Sequence, residues 1–436
     1  MARKILCAYM VLFVSISAYA INNSSPWVEA ISGSSLSSVE RTFDGGYVAL
    51  GTKYQNGFSN VLLVRLSSAG ELEWARTYRD DKDYVYASTI LQVADGGFLF
   101  TGVKNARDTF LVKVDSAGNI LWQRTYSVRG RLESFPQLIQ AADGGFFLAG
   151  TIRTTYKLRT YDGWFMKLNS DGAIVWQKLY GRSNNYESIS AASAASDGDF
   201  MIAGRSGHLA MTAKIKPTGN VRWQKVYAVS GYHDAEALAI STTKDGGYIV
   251  GGQCGQTVRF GTGWIAKLGS QGNPMWESTV RSHTDFRTPI SDTTGVTSLR
   301  QEKDGHILAM GKAGQAMGCT MAGCVYMYDI WSARLDSAGN VFWQNIFDGA
   351  TVYAIHGTPD DGTVFVGSNL IGRISSDGGV CTELTRPGDV TSKAVSITTT
   401  PADLLIRNGK FVQSTARFVQ DPVKLKMKNL CDTNRK

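Results

Sequence analysis

Short apolar runs, four to a unit, recur along most of this chain at intervals of about 50 residues. Each unit opens on a polar/apolar alternation such as Ala235 to Thr242 and reaches an Asp-Gly turn. The turns are Asp44-Gly45-Gly46, Asp95-Gly96-Gly97, Asp143-Gly144-Gly145, Asp197-Gly198-Asp199, Asp245-Gly246-Gly247, Asp304-Gly305-His306 and Asp361-Gly362-Thr363. Asp-Gly between apolar runs is a hairpin signal, because tight hairpins need positive φ at their centre. An apolar strand follows and closes on Gly51, Gly102, Gly150, Gly204, Gly251, Gly311 or Gly367. A third strand carries one basic residue, in turn Arg65, Lys113, Lys167, Lys214, Lys267, Arg334 and Arg373. A second glycine turn then leads to a strand bearing Trp74, Trp122, Trp176, Trp223, Trp276 or Trp343.

Four antiparallel strands repeated in series predict a β-propeller, an all-β fold whose blades are four-stranded sheets. In the seventh unit the turn at Asp377-Gly378-Gly379 is followed by Cys381, where the tryptophan strand should begin. That strand is missing, and Trp27 is an orphan copy of it at the other end of the chain. The N-terminal strand is therefore expected to complete the last blade, giving seven blades in a closed ring with no open blade edge. The repeated tryptophans are read as wedges between neighbouring sheets rather than as a ligand-stacking set, since each buries roughly 200 Å².

The setting Asp115-Ser116-Ala117-Gly118-Asn119-Ile120-Leu121-Trp122, with the Asp-Gly-Gly-aromatic opening, resembles the quinoprotein-type propeller repeat found in exported bacterial propellers. The resemblance covers about residues 25–380 and implies the fold; it is nearly silent on activity. Quinone-dependent dehydrogenases of this type use eight blades, a vicinal cysteine pair and a calcium site. The chain has neither adjacent cysteines nor a matching acidic cluster, so no cofactor is expected.

The ends read differently from the repeat. Residues 1–20 carry Arg3 and Lys4, an apolar run from Ile5 to Ile16 and the small-x-small triplet Ala18-Tyr19-Ala20, as a secretory signal does. The run is too short for a membrane span, which takes about 20 residues. A periplasmic or extracellular protein is expected, with residues 21–381 as the propeller and 382–436 as a C-terminal β extension of two or three short strands. Export permits disulfides. Cys381 and Cys431 bracket the extension and are paired in this reading, for a gain of up to about 4 kcal/mol. Cys319 and Cys324 are close enough for a local bridge in the long loop from Gly311 to Tyr328, and Cys254 is left as a buried free thiol.

Composition adds little to the fold and something to the partner. The 436 residues are 43% hydrophobic and 19% charged, with a net charge of +8. In a propeller the a–b and c–d turns share one face and the b–c and d–a loops the other. The first face consists of short, near-identical turns; the second holds the length variation, where binding usually resides. That second face is basic, with Tyr161, Tyr186 and Arg205 among its residues. The candidate ligand-binding residues are Arg107, Arg131, Arg153, Tyr156, Arg159, Arg182, Tyr232, His233 and Arg287. Arginine interleaved with tyrosine suits a protein partner or an anionic glycan. Asp80, Asp81 and Asp83 interrupt the field and argue against nonspecific nucleic-acid binding.

The five histidines are His208, His233, His283, His306 and His356, and no two have metal-ligand spacing, so no metal is expected. His233 next to Asp234 could orient a base. A non-catalytic, monomeric binding or assembly module is the leading expectation. The alternative is a polysaccharide hydrolase or lyase acting at the central channel, which would require carboxylates converging near the axis.

Overall fold

The computed structural model describes residues 26–55, 57–80, 83–128, 131–132, 136–155, 160–181, 186–255, 261–283, 293–320, 323–347, 352–358 and 360–379, and seven short strands between 385 and 429. Those strands complete seven antiparallel sheets arranged as the blades of a propeller. In blade 4, strand a is Glu187–Ala194, b Phe200–Ser206, c Leu209–Ile215 and d Val221–Val229, hydrogen-bonded in that order. Blades 1, 2, 3, 5 and 6 repeat this a–d plan in chain order, with strands a beginning at Ser34, Val85, Gln137, Asp234 and Thr293. No helix among the described residues is long and apolar enough to cross a membrane.

The ring closes as the orphan tryptophan predicts. Blade 7 consists of Val352–Gly357, Thr363–Gly367 and Leu370–Ile374 from the end of the repeat and Trp27–Ile31 from its beginning. Trp27 stands opposite Arg373 and Ala30 opposite Leu370 in the register. The Trp27 ring then lies over Gly70 of blade 1, where a Cβ would come within 2.5 Å of it.

The same contact recurs around the ring. Trp122, Trp176, Trp223, Trp276 and Trp343 each cover the c–d turn glycine of the following blade, namely Gly172, Gly219, Gly272, Gly339 and Gly378. Gly219 shows why no other residue serves: its φ is +78°, and an added Cβ would lie 2.8 Å from the Trp176 ring. Four residues beyond the tryptophan, Tyr78, Tyr126, Tyr180 and Tyr227 donate their hydroxyls to the carbonyl oxygens of Gly118, Gly172, Gly219 and Gly272. The Trp-x3-Tyr strand thus buries its rings between blades while satisfying the tyrosine hydroxyl.

The basic residue of each strand c also has a fixed role. Lys113, Lys167, Lys214 and Lys267 bridge to Asp95, Asp143, Asp197 and Asp245 of their own a–b turns at 2.6–2.9 Å. Arg65, Arg334 and Arg373 make the same bridge to Asp44, Asp304 and Asp360. The second glycine of the turn makes room for it, since a Cβ on Gly97 would sit 2.6 Å from Lys113 Nζ. In blade 7 this corrects the turn assignment by one residue. Asp360 makes the bridge, and Asp361 occupies the left-handed position, at φ 59°, that glycine holds in the other blades.

Two further expectations are corrected. Gly311 to Tyr328 is not an irregular loop. Strands Ile307–Thr320 and Gly323–Leu335 of blade 6 pair as one long hairpin, and Cys319 stands opposite Cys324 in its register. The backbone ladder continues as far as the pair Thr320 and Gly323.

The C-terminal segment is not two or three strands packed at one place. Its described residues form seven, one on each blade, and Cys381 and Cys431 lie outside the described residues. Thr385–Pro387 pairs with the d strand of blade 6, Asp389–Ala394 with blade 5, Ile397–Pro401 with blade 4 and Leu405–Asn408 with blade 3. Phe411–Ser414, Val419–Pro422 and Met427–Asn429 continue over blades 2, 1 and 7. The tail runs backwards around the circumference as a belt. Every d strand otherwise presents an unpaired outer ladder, and the belt supplies those hydrogen bonds.

A candidate binding face on blades 3 to 5

Strands a of all seven blades line a central cavity of about 570 Å³. Six of them bulge within the a–b ladder, beside Ser37, Ser88 and Thr89, Ser190, Leu238, Thr297 and Tyr353, and the bulged residues face the cavity. A bulge re-aims a side chain, and here it turns mostly hydroxyls inward. Several stitch one blade to the next: Ser88 donates to Pro136 O at 2.6 Å, Ser190 to Glu236 Oε1 at 3.0 Å and Thr297 to Val352 O at 2.8 Å. Among the described residues the lining carries one carboxylate, Glu40, and one histidine, His356, with Nε2 and Oε1 3.6 Å apart. Glu236, above Ser190, is raised above the ordinary carboxyl value by burial, and burial lowers Lys312.

The face bearing the b–c and d–a loops carries a different arrangement. The Arg153 guanidinium lies 5.6 Å from the centre of the Tyr161 ring, and Tyr161 packs on Tyr186 with centroids 4.5 Å apart. Arg205 lies over the other neighbour, 5.6 Å from the Tyr186 centroid. The ladder Arg153–Tyr161–Tyr186–Arg205 therefore runs from blade 3 to blade 4, each cation on a ring face where the quadrupole attracts it. A parallel backbone bridge between Tyr161 and Tyr186 holds the two rings in step.

Arg205 continues the ladder into blade 5. Its Nη2 donates to Asp234 Oδ1 at 2.8 Å, and His208 Nδ1 lies 2.6 Å from the same oxygen. The His208 and His233 rings meet edge to face, 4.8 Å between centroids. Two backbone contacts fix this corner: Ala235 N donates to His208 O at 2.9 Å, and Gly207 N to Tyr186 O at 2.8 Å. Burial works to raise the Asp234 carboxyl. The His208 hydrogen bond and the charges of Arg205, His208 and His233 outweigh it and hold the group below the ordinary carboxylate value. Tyr232, next in the loop, donates to Thr262 Oγ1 at 3.3 Å.

Of the residues expected from sequence, Arg153 and His233 fall within this arc and Tyr232 adjoins it. Arg131 stands opposite Arg153 in the backbone register. Arg107 is exposed on the b–c turn of blade 2, after Asn105 and Ala106, which both take left-handed φ. Nearby, Lys104 is neutralised by Asp80 at 2.6 Å and Asp83 at 2.7 Å. Tyr156, Arg159, Arg182 and Arg287 lie outside the described residues. Arg205, His208 and Asp234 complete the arc; the sequence places Arg205 on the basic face and Asp234 beside His233, but none of the three is among the ligand-binding candidates. Arg205 directly follows the glycine that closes strand b, and that position was the available signal. The meeting of His208 with His233 had none, because strands c and d of blade 4 and their connections lie between them in the chain. Cys254 is a buried thiol outside any disulfide.

Residues 58–245, under half of the chain, match the family model described as outer membrane protein assembly factor BamB. The chain carries the quinoprotein-type propeller repeat. By shape it is similar to the WD40 β-propeller domain of Doa1, at 12% identity over 79% of this chain and 96% of that one, with a TM-score of 0.47. It is also similar to Sqt1 from Chaetomium thermophilum, at 11% identity over 82% and 100% of the two chains, TM-score 0.47. A third likeness is to MPT-4, a mannose phosphorylase from Leishmania mexicana, at 12% identity over 67% and 83%, TM-score 0.35. No curated protein matches the sequence.

Proposed function

We propose that the chain is a binding or assembly module of the bacterial envelope, which uses the b–c/d–a face of blades 3 to 5 to hold a protein or an anionic glycan. The observation that carries this reading is the continuous ladder from Arg153 through Tyr161, Tyr186 and Arg205 to the His208–Asp234–His233 corner. Planar guanidinium groups stacked on tyrosines are preset to accept carboxylate, sulfate or phosphate oxygens, and tyrosine adds apolar area at small entropic cost. The match of residues 58–245 to an outer-membrane assembly factor, together with the leader-like residues 1–20, supports an envelope location after export. A monomer with residues 21–381 as the working propeller fits this role.

The alternative of a glycan-cleaving enzyme at the axis is less well supported. Glycoside cleavage ordinarily uses a pair of carboxylates, and the described lining offers Glu40 alone. Binding is tested with an anionic-glycan array and with capture of partners from an envelope extract, wild type against Arg153→Ala/Tyr186→Ala. The double substitution should lower capture at least about tenfold, the loss of one or two good charge-assisted contacts. Equal capture by both proteins, or none by the wild type in either format, sinks the proposal.

A further inference from the structure

We propose that His208, His233 and Asp234 form a binding site for a divalent transition-metal ion, with Zn²⁺ as the expected occupant. Each residue offers one ligand atom, and the three atoms lie within 4.8 Å of one another. Zinc bonds of roughly 2.0–2.2 Å place tetrahedral ligand atoms about 3.3 Å apart. The separations from Asp234 Oδ1 to His208 Nδ1, 2.6 Å, and to His233 Nδ1, 3.8 Å, fall on either side of that edge. Small rotations of two imidazoles close the geometry. Both rings are free to make them, their side chains being 66% and 64% exposed, whereas Asp234 is held at 12%.

The surroundings resemble those of a built site in two respects. Arg205 donates to the Asp234 carboxylate and fixes its orientation, the role that outer partners play for metal-binding carboxylates. The Ala235 N to His208 O hydrogen bond ties the b–c turn of blade 4 to the loop entering blade 5, so both histidines are delivered by loops already joined. Two imidazoles and one carboxylate suit Zn²⁺, Cu²⁺ or Ni²⁺ and not the hard ions Mg²⁺ or Ca²⁺, which take oxygen ligands. With three protein ligands, a fourth position faces solvent and is open to water or to an anionic group. The Arg205 guanidinium beside the site keeps the affinity moderate.

The inference does not depend on the binding face being used by a glycan or protein, and its readout is metal alone. Untagged full-length protein, stripped with EDTA, is titrated with Zn²⁺ by calorimetry and with Co²⁺ by visible absorption. One ion per chain should bind, and His208→Ala and His233→Ala should each weaken it at least about tenfold. Asp234→Asn should do the same, and His306→Ala, on the opposite face, should leave affinity unchanged. Because the two histidines are exposed, their substitution leaves the core intact, which circular dichroism checks on the same samples. Absence of Zn²⁺ binding overturns the proposal, and so does binding of unaltered affinity in both histidine variants, which would mark an adventitious surface ion.

Discussion

Acid should dissolve this ring by unfastening seven equivalent bridges. Each blade ties its a–b turn aspartate to the lysine or arginine of strand c, and each of those aspartates is held below the ordinary carboxylate value. At Asp245 burial works to raise the carboxyl, but the Thr243 hydroxyl, Lys267 and the Gly247 N–H outweigh it and push it down to about 2. Against an unfolded value of about 3.9, that shift corresponds to at most roughly 2.5 kcal/mol of stability. The Asp245 side chain is 54% exposed, however, so solvent screening leaves about 1 kcal/mol. The bridges share no partner between blades and should add. The aspartates of the other six blades are lowered in the same direction, so their contributions are lost over the same fall in pH.

The sign follows from the depressed folded-state values. The contribution is complete above the unfolded value near pH 4 and is lost as the pH falls towards 2. Glu29 acts in the opposite sense. Burial pushes it up to about 7, so it favours folding below about pH 4.5 and its contribution disappears as the pH rises to 7. Urea unfolding followed by tryptophan fluorescence at pH 7, 5, 4, 3 and 2 separates the two windows. The midpoint should rise modestly from pH 7 to 5 and collapse between 4 and 2 with uptake of several protons. Asp245→Asn should remove part of the collapse, about 1 kcal/mol of it. A midpoint that stays level from pH 5 to pH 2.5 would refute the reasoning, since the bridges would then contribute nothing.

A substitution and a truncation probe closure. Trp27→Ala removes a buried ring that fastens blade 7 to blade 1 and should cost about 3–5 kcal/mol; hydrogen exchange should show the strand Trp27–Ile31 and its partner Leu370–Ile374 losing protection first, and uniform loss over all blades would contradict a localised closure. Ending the chain after Gly379 removes the belt and bares the outer ladder of every blade; light scattering should detect concentration-dependent association and melting should shift downwards, whereas an unchanged scattering mass with unchanged melting would show that the belt does not protect those edges.

What was legible in the sequence is what repeats, and the reason is physical. A ring of equivalent blades imposes one environment seven times, so Trp122, Trp176 and their counterparts stand at the same place beside the same glycine. The basic position of strand c was visible for the same reason, although its partner was not. Nothing in the spacing of Lys167 and Asp143 says that they meet until strands b and c are paired, with Phe147 opposite Lys167. The belt escaped because its strands are held by main-chain hydrogen bonds to d-strand edges, and a ladder of that kind asks little of the side chains. A segment such as Ile397–Pro401, Ile-Thr-Thr-Thr-Pro, therefore carries none of the marks of the repeat. The candidate site was harder still. Arg153 and His233 could be named as basic or polar residues of variable loops, but their grouping with Tyr161, Tyr186, Arg205, His208 and Asp234 comes from the side-by-side packing of three blades. Residues that repeat report the blade, because every blade needs them. His208 and His233 occur once, at one corner of one face, and no demand of the ring accounts for two imidazoles and a carboxylate there. That asymmetry on a scaffold of near-equivalent blades is what directs attention to function.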